Sequence, residues 1–112
     1  MNRFILSAQA RLDYFEAFDF IAGYSPRKAL KWEAAMLDTF QHLAAWPQTG
    51  TIRPEYAPPH IRFWVVDDYL VLYNPSANSV EIVAILHGAR SLAGLIAAHL
   101  IEPDLESEDD ED

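Results

Sequence analysis

The sequence predicts an α+β fold in which an N-terminal antiparallel helical hairpin packs on one face of a small antiparallel β-sheet. Two observations carry this prediction. Apolar residues recur at helical spacing up to Trp46, and from Ile61 the chain changes to short runs rich in β-branched and aromatic residues. The expected order is strand, helix, helix, three strands, helix. A chain of 112 residues forms one domain of this kind, which excludes an enzyme with separate cofactor and substrate domains.

The first elements are a short edge strand over residues 3–6 and a helix over residues 8–22. Ser7 is typical of the N-cap of that helix, and Gly23 of its C-terminal cap. Apolar residues follow Ser7 at helical spacing. The charged residues, Asp13 among them, are expected largely outside this apolar stripe.

A second helix is expected to follow almost immediately. Ser25 and Pro26 have the residue types of an N-cap and a first helical position, and the helix ends at Trp46 because Pro47 cannot continue it. So short a link predicts an antiparallel hairpin. The apolar stripe of this helix consists of Ala29, Trp32, Met36, Phe40 and Leu43.

The sheet is expected from three runs, residues 61–66, 69–73 and 80–86. Only two residues separate the first two runs, and a longer turn separates the second and third, which favours an antiparallel meander. Residues 47–60 contain four prolines and are expected to form an irregular loop. After Gly88, Ser91 is expected to cap a short last helix.

The negative charge is concentrated at the C-terminus. Eight of the 17 acidic residues lie in residues 102–112, whereas residues 1–101 carry eight basic and nine acidic residues, a net charge of −1. We therefore expect one domain over residues 1–101 and a disordered, solubilising tail. The alternative is a tail that folds back on basic residues or assists partner recognition. The nearly neutral body argues against nucleic-acid binding driven by the field of the whole domain.

Several classes of site are absent from the sequence. Without cysteine there is no disulfide framework, thiol nucleophile or thiolate zinc site, and a cytoplasmic location is expected. No cofactor is expected, since neither a P-loop nor a dinucleotide-binding motif is present, and no window is apolar enough for a membrane span. No metal site is expected, because the four histidines fall on different predicted elements: His42, His60, His87 and His99.

A small group of polar residues around the predicted sheet remains: Arg53, Glu55, Arg62, Tyr73, His87 and Arg90. Cleavage of RNA by its 2′-hydroxyl needs a proton acceptor, a proton donor and cations for the phosphate, and in principle these residue types could supply all three. The alternative is structural. Arg62 would then pair with Glu81 across strands, Tyr73 would belong to the core, and His87 would only end a strand.

Several segments of the sequence, taken in order, resemble those of a known protein family. The relevant pieces are residues 43–50 (LAAWPQTG), 53–55 (RPE), 61–63 (IRF), 69–73 and 80–90, of which the ending His-Gly-Ala-Arg at residues 87–90 is the most specific. In this order the sequence resembles the RelE/ParE toxin superfamily over about residues 4–98. The acidic tail lies outside the resemblance.

The resemblance implies the toxin of a bacterial type II toxin–antitoxin pair, held in a hetero-oligomer with a cognate antitoxin. The ending His-Gly-Ala-Arg is similar to the ParE-like branch, whose members inhibit DNA gyrase by binding and have no catalytic residues to transfer. The first alternative is a RelE-like, ribosome-dependent mRNA endonuclease. The second is an inactive homologue that retains only antitoxin binding. Direct sequence-specific DNA binding is not expected of this chain.

The same resemblance suggests residues for each role. Arg53, Arg62, His87 and Arg90 are the candidates for binding the target, together with the last helix. In the nuclease alternative these residues form the active site, with His87 or Glu55 as the proton carrier. From Arg53 onward the chain has only three arginines as fixed cations, which makes a poor phosphate cradle.

The antitoxin is expected to lie against the helical hairpin and the sheet edge through a segment that folds on binding. Its apolar contacts are expected at Tyr14, Phe20 and Trp32. The alternative for each of these aromatic residues is a place in the core.

Overall fold

The computed structural model describes residues 3–76 and 79–88 and has the predicted α+β fold. Two helices, α1 (Ala8–Tyr24) and α2 (Pro26–Ala45), pack on a five-stranded sheet of order β1-β5-β4-β3-β2. The strands are β1 (Phe4–Leu6), β2 (Thr51–Ile52), β3 (Arg62–Val66), β4 (Tyr69–Pro75) and β5 (Val80–His87). The predicted last helix, Arg90 and the acidic tail lie outside the described residues. In the described part of the chain, no helix is long and apolar enough to cross a membrane.

The helical hairpin begins at the predicted N-caps. Ser7 Oγ accepts a hydrogen bond of 3.0 Å from the backbone N–H of Ala10, and Ser25 caps α2 in the same way. The predicted C-terminal cap at Gly23 is wrong, because Gly23 lies inside α1. Ser25 instead ends α1 by donating its backbone N–H to Ile21 O at 2.9 Å. One extended serine therefore separates the two helices.

The sheet is mixed rather than wholly antiparallel. Strands β3, β4 and β5 form the predicted antiparallel meander. Strand β1 is an edge strand, as predicted, but it runs parallel to β5, with Phe4 opposite Val80. Residues 47–60, expected to form an irregular loop, contain the short strand β2. Its β-branched residues Thr51 and Ile52 pair with the start of β3.

Both faces of the sheet are covered. The helices bury one face, and all five residues of the predicted α2 stripe are buried against it: Ala29, Trp32, Met36, Phe40 and Leu43. On the opposite face, Ala57 and Ile61 pack over Phe63, Leu70 and Leu72. The segment between β2 and β3 thus closes the second face.

The loop between α2 and β2 is fastened to the sheet by Tyr73, which is fully buried as the core alternative predicts. Its hydroxyl accepts from the Gly50 N–H at 2.7 Å and donates to Pro47 O at 2.9 Å. Burial is the main reason why the pKa of Tyr73 is raised. Arg62 Nη1 adds a third bond of 2.8 Å, to Gly50 O. These bonds fix the start of β2 against β3 and β4.

The predicted cross-strand pair between Arg62 and Glu81 is wrong. Strand β4 lies between β3 and β5, so Arg62 stands opposite Tyr73, and Glu81 opposite Asn74. The guanidinium of Arg62 instead donates to Gly50 O. The strand order therefore gives Arg62 a role in holding the preceding loop.

Candidate functional site

The candidate target-binding residues separate to opposite ends of the sheet. Arg53, Glu55 and Arg62 lie where β3 begins, whereas His87 lies where β5 ends. Arg62 stands opposite Tyr73 and His87 opposite Tyr69, so their rungs of the sheet are four residues apart along β4. At a rise of about 3.3 Å per residue this spacing is roughly 13 Å, and β4 also lies between the two strands. The structure therefore does not bring His87 together with the two arginines, and Arg90 lies outside the described residues.

Arg53 and Arg62, near the start of β3, lie on opposite faces of the sheet. The Arg53 guanidinium lies 6.0 Å from the ring centroid of Phe63, which packs on the face away from the helices. Arg62 precedes Phe63 in β3 and stands opposite Tyr73, which packs on the helical face. Alternate residues of a strand point to opposite faces. Of the arginines that the structure describes, Arg53 and Arg62 therefore do not converge on one phosphate at this end of the sheet.

The other end carries an aromatic groove, lined by Phe20, Trp32, Tyr69 and His87. The His87 ring stacks on Tyr69 with a centroid distance of 4.7 Å and an interplanar angle of 27°, and it lies 6.0 Å from Phe20. Tyr69 is in turn 5.3 Å from Trp32. The structure therefore joins one candidate target-binding residue, His87, to two candidate antitoxin contacts, Phe20 and Trp32.

The three candidate antitoxin contacts differ in exposure. Phe20 is 53% exposed, Tyr14 is half-buried and Trp32 is only 6% exposed. The core alternative is therefore correct for Trp32, whereas the Phe20 ring is open to a partner. Tyr14 continues the row of rings at 5.1 Å from Trp32. Tyr69 also lines the groove, but the sequence analysis does not identify it, because it lies in an apolar run like that of any buried strand.

The aromatic groove has a volume of about 750 Å³ and charged walls. Lys28 and Lys31 line the wall formed by α2, and Asp67 and Asp68 of the β3–β4 turn line the opposite wall. The indole N–H of Trp32 has no hydrogen-bond acceptor among residues 3–76 and 79–88. The groove thus combines flat apolar rings, charges of both signs and a buried donor.

A smaller cavity of about 280 Å³ adjoins the groove and shares Phe20 and His87 with it. Its floor includes Asp13, which is 7% exposed although the sequence places it outside the apolar stripe. The reason is the short edge strand. Because β1 ends at Leu6, beside Ile82, it does not pair with the N–H of Ile85, and Asp13 Oδ2 accepts that N–H at 2.9 Å.

The hydroxyl of Tyr14 predicts an alkaline dependence of stability. Burial, a 3.1 Å hydrogen bond to Glu33 Oε2 and the negative charge of Glu33 raise the pKa of Tyr14 to about 12. The folded state thus keeps a proton that the unfolded chain loses near pH 10, so this contribution to stability is complete below pH 10 and is lost between pH 10 and 12.

We expect the free energy of unfolding to fall more steeply between pH 10 and 12 in the native chain than in Tyr14→Phe. Urea titrations at several pH values measure this slope, and tyrosinate absorbance follows the ionisation directly. Glu33→Gln is the matched control, since it keeps the side-chain length and removes the charge. Equal slopes in the native chain and Tyr14→Phe would contradict the assignment.

Comparison with known proteins identifies the family. Residues 4–92 match the family described as "ParE toxin of type II toxin-antitoxin system, parDE". The chain belongs to this ParE toxin family. One solved structure, "Chromosomal ParDE TA system from P. aeruginosa", has the same fold, with a TM-score of 0.65 and 19% sequence identity over 79% of this chain and 97% of that chain. None of the curated protein sequences compared with this chain matches it.

The ParE family match confirms the resemblance to the RelE/ParE superfamily and favours its ParE-like branch. It includes both ends of the sheet and the whole helical hairpin, and it stops before the acidic tail. Within the described ranges, no group of three or more His, Cys, Asp or Glu side chains is placed to hold a metal ion.

Proposed function

We propose that this ParE family chain is a toxin that inhibits DNA gyrase by binding, and that a cognate antitoxin neutralises it. Beside the family match, one observation carries the choice of binding over RNA cleavage: His87 is separated from Arg53 and Arg62 by the length of the sheet. Acid–base catalysis requires the proton carrier and the phosphate-binding cations to meet at one reacting group. The described residues favour a binding surface.

Glu55 is the other candidate proton carrier, and it lies at the arginine end of the sheet. It is exposed, and Arg53 and Arg62 beside it belong to opposite faces. The three side chains therefore do not converge. This arrangement supports gyrase binding over ribosome-dependent RNA cleavage. Following DNA breakage and protein synthesis in one culture distinguishes these two functions.

The antitoxin is proposed to cover the outer side of the helical hairpin. Large apolar side chains are exposed along α1, where Leu12, Phe15, Phe20 and Tyr24 each have more than half of their surface accessible. With 3.6 residues per turn, Leu12 and Phe15 point to one side of α1 and Phe20 and Tyr24 to another. Exposed apolar side chains of this size on a small protein are typical of a partner-binding surface. A segment that folds on binding could bury one of these two pairs as an amphipathic helix.

The test is brief induction of the chain without its antitoxin in a bacterial host, with chromosomal breakage and protein synthesis followed in the same culture. We expect early DNA breaks and filamentation while translation continues. Purified gyrase should lose supercoiling activity when the chain is added, and mixing the chain with the antitoxin beforehand should prevent this loss. The antitoxin arm is the matched control for a nonspecific effect of added protein.

Other outcomes would overturn the proposal. Early collapse of translation with intact DNA would assign the ribosome as the target, and Arg53, Glu55, Arg62, His87 and Arg90 would then be tested as an active site. Normal growth with normal supercoiling at high excess would leave antitoxin binding as the function of an inactive homologue.

A further inference from the structure

The wall of the aromatic groove formed by α2 is the most cationic part of the chain. Three of the eight Lys and Arg residues, Arg27, Lys28 and Lys31, fall within five positions, and no acidic residue occurs between Phe20 and Trp32. The first turn of α2 carries no acidic side chain, so the positive end of the helix dipole adds to this charge. Lys28 and Lys31 line the groove itself.

A second, independent observation concerns Trp32 in the same groove. Its side chain is only 6% exposed, and its Nε1–H has no acceptor in the described part of the chain. Indole nitrogen is a donor only, and a buried donor without an acceptor is costly. The N–H itself is enclosed, so Trp32 offers an occupant of the groove the edge of its ring, and its indole signal reports on whether the groove is occupied.

The chain itself carries such an occupant within reach. The described chain ends at Gly88, whose N–H donates to Asp68 O at 2.6 Å on the rim of the groove. Fourteen residues lead from Gly88 to Glu102, the first residue of the acidic segment. That length spans roughly 21 Å as a helix and about 45 Å when extended. Because His87, next to Gly88, already lines the groove, a tether of this length allows the segment to turn back to it.

We propose that the acidic segment, residues 102–112, docks in the aromatic groove against Lys28 and Lys31. Its eight carboxylates match the cationic wall, and the tether gives the contact the high effective concentration of an intramolecular encounter. Asp67 and Asp68 repel the segment from the opposite wall and confine it to α2. The docked segment covers Phe20 and His87, so a partner that uses the groove must displace it.

The absence of cysteine allows a direct test in the full chain. Ser107→Cys places a single thiol in the acidic segment without changing its charge, and a nitroxide attached there broadens the NMR signals of nearby protons. We expect loss of the amide signals of residues 27–31 and of the Trp32 indole N–H. The signals of Arg53 and Arg62, at the other end of the sheet, should be weakened far less, as should the indole signal of Trp46 after the end of α2.

Three controls make the test specific. The Lys28→Gln, Lys31→Gln double variant and a high salt concentration should each restore the lost signals, because screening weakens contacts between exposed charges. Removal of the residues after Ile101 should shift the Trp32 indole signal in the unlabelled protein. None of these readings depends on toxicity, so they are independent of the gyrase proposal.

Three outcomes would overturn the proposal. Broadening centred on Arg53 and Arg62, or spread evenly over the protein, would place the segment elsewhere. Broadening that persists in the Lys28→Gln, Lys31→Gln variant would remove the electrostatic basis. Broadening seen only when spin-labelled protein is mixed with unlabelled, isotope-enriched protein would assign the contact to the segment of a second copy.

Discussion

Gly50→Ala is expected to destabilise the protein by about 2–4 kcal/mol, which combines overpacking with the loss of buried hydrogen bonds. A Cβ at this position would lie 2.7 Å from Cε1 and 2.9 Å from Cζ of Tyr73. The Tyr73 ring is fully buried and fills a fixed place in the core. It can make room only by giving up its bonds to the Gly50 N–H and Pro47 O.

The chain offers a matched control for this substitution. A Cβ at Gly23 would meet no atom within 4 Å, and Gly23 lies inside α1. Gly23→Ala should therefore stabilise the protein by about 0.5–1 kcal/mol, the usual gain when alanine replaces glycine in a helix. The same chemical change is thus expected to have opposite signs at the two positions.

Urea denaturation of the native chain and both variants measures these free energies. Tyr73→Phe separates the two causes, because it leaves Gly50 free of the hydroxyl but deprives the Gly50 N–H of its acceptor, at a cost of about 1–3 kcal/mol. In the double variant the losses should not add, since both substitutions break the same bonds. A native-like stability of Gly50→Ala would show that the Tyr73 bonds do not fasten the loop.

The elements that could be predicted from the sequence are those whose signals are local. The α2 stripe from Ala29 to Leu43 identifies a buried helical face without any knowledge of its partner, since the spacing alone places these residues together. Ser7 and Ser25 mark helix starts because a serine side chain bonds to a backbone N–H only three residues away. The meander follows from the two-residue link between β3 and β4.

The direction of β1 and the composition of the groove depend on contacts distant in sequence. Nothing in residues 3–6 distinguishes a parallel edge strand from an antiparallel one. Tyr69 and His87 meet because the register of β4 and β5 places them opposite each other. Phe20 contacts His87 because α1 packs over this end of the sheet. The separation of His87 from Arg62 likewise requires the strand order, which periodicity does not contain.

The burial of Asp13 also depends on a contact that is distant in sequence. Helical spacing identifies which residues share a face of α1, but it does not show that a backbone N–H of the sheet needs a polar side chain from this helix as its acceptor. Because β1 stops at Leu6, the N–H of Ile85 needs an acceptor, and α1 provides it at Asp13. The carboxylate is buried to serve the backbone of β5, although the sequence pattern assigns it to the solvent side.

Asp13→Ala should therefore cost about 2–3 kcal/mol of unfolding free energy, because it leaves a buried N–H without its acceptor. Asp13→Asn should cost less than half as much, since the amide oxygen can accept the same bond. Gln9→Ala is the control: it removes the 2.9 Å bond from Gln9 to Asp13 Oδ1 and leaves the Ile85 bond intact.

Hydrogen exchange at the Ile85 amide gives a local reading of the same prediction. In Asp13→Ala this amide should exchange faster relative to its neighbours in β5, whereas in Asp13→Asn and Gln9→Ala it should remain protected. Asp13 also holds α1 over the end of β5, where Phe20 contacts His87. Loss of the Asp13 bond should consequently change the Phe20 and His87 ring signals, and unchanged exchange at Ile85 would contradict this account of the buried carboxylate.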